Sequence, residues 1–379
     1  MAHINHEPAT VGDALLLRAW ALDLLIGERR ATHPLAESPV SPATWELFLR
    51  SERCALPLRA RLAARSPLLE RLATVELQRA LSARAQLLEI GRLAAAHSLE
   101  PIVLKGGVAA LSDDPVDLAD VDVLVRQEHS ELLANLLNER GYSSTIAGSA
   151  AHLPARFGPE TVPIEVHFAI NDLEEIGELR ARAQPMAGCP GLWRLSPPDH
   201  LWHLLVHSAV SHPERRGCLR DVLLITSAAQ ECSPVELADV TGRIARSSRR
   251  SALSGMLALA RAAGGGGDGT DCFRTEAAAN YLLRDRFRWL ARWRMLQPMA
   301  TTVFVLLGSR WDRQAEWAAV LRRRVPSEPS TWRVLAALQR RAPRLGDMTR
   351  RLLRVGRLLV ARLFAWPIAA RAKRLADAH

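Results

Sequence analysis

A chain of 379 residues, 48% hydrophobic and 24% charged, is long enough for two folded domains and too rich in apolar side chains for a disordered tether. Its formal charge of +10 is gathered at one end: residues 301–379 carry 17 Lys and Arg against 5 Asp and Glu, which leaves the first 300 residues near −2. The five scattered cysteines have no metal-ligand spacing, which excludes a disulfide framework or a zinc module and fits a reducing cytoplasm.

The first apolar stretch is interrupted by Asp13, Arg18 and Asp23, unlike a signal peptide. The uncharged run between Arg294 and Arg310 contains Gln297 and Pro298 and is shorter than a membrane span. A cytoplasmic protein without a transmembrane segment is expected. Only Lys105 and Lys373 break an all-arginine basic set, a bias typical of high-GC bacterial coding.

Taken in chain order, residues 10–97 read as helices. Leu15, Leu16, Trp20, Leu24 and Leu25 recur at helical spacing, as do Leu68, Leu72, Leu77, Leu81, Leu87 and Leu88. The period then changes. Pro101-Ile102-Val103-Leu104 is a short apolar strand running into Lys105-Gly106-Gly107. Residues 118–125 form a second strand, on which alternation puts Asp120, Asp122 and Leu124 on one face. An amphipathic helix over residues 129–140 stops at Gly141. Residues 162–168 form a further strand, with Glu165 and His167 on one face; Pro163 favours an edge or starting position. Ser196-Pro197-Pro198-Asp199 opens a helix with a hydroxyl cap. Gly264 to Gly267, followed by Asp268 and Gly269, reads as a linker leading to basic helices.

The chemistry gathers around the only lysine of the first 300 residues. Two carboxylates at i and i+2 on one strand repel each other in water, and a divalent cation makes their pairing favourable. Glu165 from another strand would complete an oxygen-rich site for Mg2+ or Mn2+. Such a centre stabilises in-line displacement at phosphorus. The backbone amides of Gly106 and Gly107 could approach a triphosphate, and Lys105 could offset charge developing on it. No Gly-x-x-x-x-Gly-Lys-Ser/Thr loop occurs, which disfavours a P-loop enzyme.

In order, these motifs are Leu104-Lys105-Gly106, Asp120-Val121-Asp122-Val123-Leu124-Val125, Gly141-Tyr142, Glu165-Val166-His167 and the histidine-bearing segment from His203 to Asp221. The set resembles the nucleotidyltransferase superfamily that includes DNA polymerase β. Within it, the chain is most similar to an uncharacterised bacterial nucleotidyltransferase family with a Leu-Lys-Gly opening, over residues 10–230. The resemblance implies an α+β fold, with a small mixed nucleotidyltransferase sheet flanked by helical amino- and carboxy-terminal regions. It implies Asp120, Asp122 and Glu165 as catalytic, metal-binding residues, with Glu165 also orienting or deprotonating an acceptor hydroxyl. Lys105, Gly106 and Gly107 would bind the nucleotide, with His167 and Asp221 as further substrate contacts. The chain departs from the family in lacking an arginine shortly before the paired acids, where it reads Asp114-Pro115-Val116-Asp117-Leu118-Ala119.

Three other features have plainer readings. His200, His203 and His207 share a helical face, but Leu204 stands where a metalloprotease needs glutamate, so packing between helices is favoured. Asp113, Asp114 and Asp117 read as a solvated turn, and Asp221 as a partner for Arg220 or Arg216 unless it faces the cleft. Arg350, Arg351, Arg354, Arg357 and Arg362 line one face of an amphipathic helix, open to RNA, anionic lipid or an acidic partner.

The expected organisation is a helical region over residues 1–98, a nucleotidyltransferase core with following helices over 99–263, and a basic helical region over 272–379. The expected reaction is metal-dependent transfer of a nucleoside monophosphate from an NTP, with ATP favoured, to a hydroxyl of a metabolite, peptide or protein, releasing pyrophosphate. The basic end leaves an RNA-directed transferase as one alternative, and the missing arginine leaves an inactive scaffold on the same fold as another.

Overall fold

The computed structural model describes residues 21, 24–25, 42–62, 66–112, 116–144, 152–159, 161–170, 176–211, 218–247 and 249–263. The chain divides into two compact units, and all of these residues belong to the one formed by Met1–His212 and Gly217–Tyr281. The segment read as a basic helix from Arg350 to Arg362, the one read as a linker from Gly264 to Gly269, and Asp113 and Asp114 lie outside the described residues. So does most of the expected first helix, of which Ala21, Leu24 and Leu25 are described, helical and buried.

Among the described residues, the helices with defined bounds before the sheet are α1 (Pro42–Glu52), α2 (Ala55–Arg61) and the long α3 (Pro67–His97). Ser66 caps α3 by accepting from Leu69 N, with Pro67 in the first turn. Its leucine pattern marks the buried stripe only in part. Leu72 and Leu87 are buried, but Leu81 and Leu88 face solvent, and the stripe is completed by Ala73, Glu76, Ala80, Ala83, Gln86 and Ile90. Alanines on that face let the helix lie close to the sheet.

Strand β1 (Ile102–Val103) leads into the single-turn α4 (Gly107–Ala110), then β2 (Val121–Leu124), α5 (Gln127–Glu139), β3 (Ser143–Ser144), β4 (Arg156–Phe157) and β5 (Ile164–His167). After α6 (Ile176–Arg182), β6 (Gln184–Pro185) and β7 (Trp193–Arg194) come α7 (Pro197–Val206), a π-helical turn (His207–Ser211), α8 (Leu219–Glu231), α9 (Pro234–Arg246) and α10 (Arg250–Ala263). The result is a mixed seven-stranded sheet in the order β3-β4-β5-β2-β1-β7-β6, among helices. The expected α+β class holds.

At the centre β2 pairs with β1 antiparallel and with β5 parallel, in the register Asp122↔Glu165 and Leu124↔His167. Alternation then sorts the two faces. Val121, Val123, Ile164 and Val166 turn to the main core and pack with Ala83, Leu87 and Ile90 of α3 and Leu133 and Leu137 of α5. Asp122, Glu165 and His167 turn to the other face. There Leu124 packs with Ile102, Leu104, Leu179 and Leu195 in a second, smaller core. Pro163 directly precedes β5, and its carbonyl accepts from Val121 N at 2.8 Å, so the proline starts a strand that is interior to the sheet. The side chain of Gln86 imitates a strand partner at this point, donating to Val162 O at 2.8 Å and accepting from Val162 N at 3.2 Å.

The hydroxyl of Ser196 does not cap α7. It donates to Asp199 Oδ2 at 2.8 Å, joining Arg182 and Arg243 around that fully buried carboxylate. Asp199 thereby pins the start of the helix that carries His200 and His203.

Candidate active site

The turn after β1 is built around a backbone strain. Leu104 N donates to Asp122 O, extending the β1–β2 ladder by one residue, and Lys105 then adopts φ +51°. A left-handed conformation costs a non-glycine residue about 1 kcal/mol, and such outliers concentrate where function needs the side chain. Gly107 N donates to Leu104 O at 3.0 Å and closes the turn, so this amide is committed within the turn. Both glycines are closely packed: a Cβ on Gly106 would sit 2.6 Å from Leu118 Cδ2, and one on Gly107 2.7 Å from Val103 Cγ1, so the neighbouring side chain would have to shift in each case.

The strained turn delivers the Lys105 ammonium to Asp122, with Nζ 2.8 Å from Oδ1. His167 Nε2 reaches the same oxygen at 2.8 Å and lies 3.5 Å from Glu165 Oε2. His152, bridged to His167 on the neighbouring segment, brings Nε2 to 4.0 Å from Glu165 Oε2. Asp122 is buried, and Lys105, Glu165 and His167 are partly so.

The electrostatics follow from this packing. Burial alone would push the Asp122 carboxyl up, but the Lys105 charge and the His167 hydrogen bond outweigh it and hold the group well below the usual carboxylate range. Burial likewise opposes charge on Lys105 and His167, and the nearby carboxylates reverse the balance and raise both. Glu165 is lowered, its burial being outweighed by the His167 hydrogen bond. Asp120 behaves differently: burial and the like charge of Asp122 raise its carboxyl.

Among the described residues, the donor atoms of Asp122, Glu165 and His167 lie within 4.8 Å of one another. Two carboxylate oxygens and an imidazole nitrogen converging on one point fit a divalent cation. Asp120 stands directly before β2, within electrostatic reach of Asp122, Lys105 and Glu165, but outside this closest set. The reading of the acids thus meets a geometry in which the second acid of the pair and His167 share the centre. Asp221 is buried against Arg220, whose Nε donates to its Oδ1 at 3.0 Å.

Asp117 corrects the expectation of a solvated turn. It is 1% exposed and ion-paired to Arg53 Nε and, at 3.2 Å, to Arg79 Nη1. Arg220 Nη1 donates to its carbonyl at 3.4 Å. Three arginines distant in sequence therefore surround the segment whose own arginine is missing, and the charge of Arg220 extends to Asp120. No sequence motif marked Arg53, Arg79 or His152, because each meets the site only through folding.

The α7 histidines are packed between elements, as expected, yet they border this centre. His200 Nε2 donates to Lys105 O at 3.3 Å. His203 is buried, its Nε2 has no hydrogen-bond partner among the described residues, and burial with the Lys105 charge pushes its imidazole down to about 3. Both rings are thereby favoured in their neutral form.

A family described as uncharacterised nucleotidyltransferase matches residues 49–265, more than half of the chain and the whole of this site. The chain belongs to that nucleotidyltransferase family. It is a transferase of nucleotidyl groups, which implies a nucleoside triphosphate substrate. No curated protein matches the chain. No described helix of this nucleotidyltransferase is long and apolar enough to cross a membrane.

Proposed function

We propose that the protein transfers a nucleoside monophosphate from an NTP, with ATP the expected donor, to a hydroxyl of a metabolite or peptide, using a divalent cation and releasing pyrophosphate. The observation that carries this reading is the convergence of Asp122, Glu165 and His167 on one point beside Lys105. Asp122 and Glu165 meet Lys105, His167 and His152, and among the described residues no arginine ion-pairs with either acid, as it would in a plugged, inactive scaffold.

Asp122 and Glu165 would hold the cation, with Asp120 joining as the added positive charge offsets its repulsion by Asp122. When bound, a divalent ion such as Mg2+ or Mn2+ supplies positive charge to the phosphates. Lys105 would meet the phosphate oxygens beside Asp122, and the turn at Gly106 and Gly107 that aims it there is assigned to the nucleotide side. The acceptor oxygen forms a bond to the α-phosphorus as the bond from that phosphorus to the bridging oxygen breaks. Pyrophosphate leaves with the bonding electrons, and Glu165 is assigned the hydroxyl proton. His167 and Asp221 are assigned to the substrate side. The basic region at residues 301–379 keeps RNA as an alternative acceptor.

Calorimetric titration of each NTP, as a non-hydrolysable analogue with divalent metal, into wild type and Asp120→Asn/Asp122→Asn tests the reading. Metal-dependent binding that disappears in the double variant is expected. A folded wild type that binds none of the four would overturn it.

A further inference from the structure

We propose that His167 is itself a metal ligand, and that this makes the centre select a divalent first-row transition ion over magnesium. The inference deepens the proposed function, since it concerns the cation of that same site, and rests on it only for the location. Three observations carry it.

The first is convergence. His167 shares a strand face with Glu165, and the parallel register sets that face beside Asp122. The ring nitrogen that results, Nε2, donates to Asp122 Oδ1 at 2.8 Å and lies 3.5 Å from Glu165 Oε2, so a cation held by these two carboxylates would take the place of its proton. An imidazole serving only to orient Asp122 would need just the first contact. The three donor atoms instead form one group within 4.8 Å, the geometry of a shared ligand position.

The second is the place of Asp120. An all-oxygen magnesium centre would draw on both members of the Asp-x-Asp pair. Here the closest donor set contains His167, and Asp120 stands outside it until a cation offsets its repulsion by Asp122. Magnesium is a hard ion that prefers oxygen and gives up water reluctantly, whereas imidazole nitrogen is a good ligand for transition ions.

The third is a second imidazole. His152 lies across an isolated bridge from His167, with ring centroids 5.1 Å apart. Its Nδ1 is 2.7 Å from Leu153 O, and a carbonyl can only accept, so Nδ1 carries the hydrogen. In the neutral ring Nε2 then bears the lone pair, on the side of Glu165 at 4.0 Å. A nitrogen-rich rim on a carboxylate centre favours ions that tolerate mixed donors.

The test uses Mn2+ alone as the probe, on the full-length protein without nucleotide. Binding is followed by loss of the free-ion signal in electron paramagnetic resonance, and the ligands are read by electron spin-echo modulation, which detects 14N bonded to the ion. Mn2+ should bind at least about tenfold more tightly than Mg2+ displaces it, and wild type should show nitrogen modulation. His167→Gln should abolish that modulation and weaken Mn2+ about tenfold while changing Mg2+ affinity far less. His152→Gln should keep the modulation, and Asp122→Asn should remove the bound ion. Mn2+ bound to wild type without nitrogen modulation would overturn the inference, and needs no variant to fold. Modulation that survives in His167→Gln, or Mg2+ competing as well as Mn2+, would overturn it too. The outcome separates from that of the proposed function: His167-dependent Mn2+ binding with no nucleotide binding sinks only the transferase chemistry, whereas nucleotide binding with an all-oxygen ion sinks only this inference.

Discussion

Lys105 Nζ and His167 Nε2 meet on a single oxygen, Asp122 Oδ1, each at 2.8 Å. One buried carboxylate thus answers two cationic groups, one from the turn after β1 and one from β5, and its removal strands both. Asp122→Ala should lower stability by about 3 kcal/mol, because it leaves Lys105 in a partly buried site without its partner. Lys105→Met combined with Asp122→Leu should recover part of that loss. Urea unfolding of Lys105→Met, Asp122→Leu and the double variant measures the coupling; strict additivity would refute it.

The Gly106 position is set by Leu118, whose Cδ2 would lie 2.6 Å from an added Cβ. Gly106→Ala should cost about 1–3 kcal/mol by overpacking. Leu118→Ala in the same chain should relieve the clash, so that the double variant loses less than the sum of the singles. Thermal unfolding reports it, with nucleotide binding as an independent check that the turn is restored.

Asp117 should act as the anchor of the segment before β2. Removing its side chain in Asp117→Ala leaves the partly buried Arg53 without this partner and should cost about 3 kcal/mol. Arg79→Ala should cost less than about 1 kcal/mol, since that guanidinium side chain is 42% exposed. Comparable losses in denaturant midpoint for both would contradict this ranking.

Glu76 and His203 shape the pH dependence of stability with opposite signs. Burial raises the Glu76 carboxyl to about 7 from 4.5, while Leu56 N donates to its Oε2 at 2.6 Å. The folded protein therefore holds a proton that the unfolded chain releases, and stability falls as pH rises from 4.5 through 7. Glu76→Gln keeps an acceptor for Leu56 N and should be more stable than wild type at pH 8, by about 2 kcal/mol relative to the difference at pH 4.5.

For His203 the folded state refuses a proton that the unfolded chain takes up below 6.5, until about pH 3. Stability from this group is present above pH 6.5 and is lost as pH falls through that window. His203→Leu, which also removes a buried ring nitrogen without a described partner, should flatten the acid limb by about 2 kcal/mol between pH 6.5 and 5. Denaturant unfolding across pH would show an unchanged acid limb if the ring were solvated.

Local pattern determined the pieces. Helical spacing located α3 and α5, apolar runs located β1, β2 and β5, and period two assigned Glu165 and His167 to one face, because helix and strand periods follow from backbone geometry alone. The strand signal at 118–125 ran wider than β2, since apolar alternation continues where the ladder does not. Tertiary structure decided the rest. Which of Asp120 and Asp122 shares the centre depends on the β2–β5 register, set by sheet order and by Gln86 on a distant helix. Asp117 reads as a solvent-facing turn residue until Arg53, Arg79 and Arg220 arrive from three other segments. A charge can be buried only where its partners converge, and that convergence is a property of the folded chain, not of any stretch of sequence.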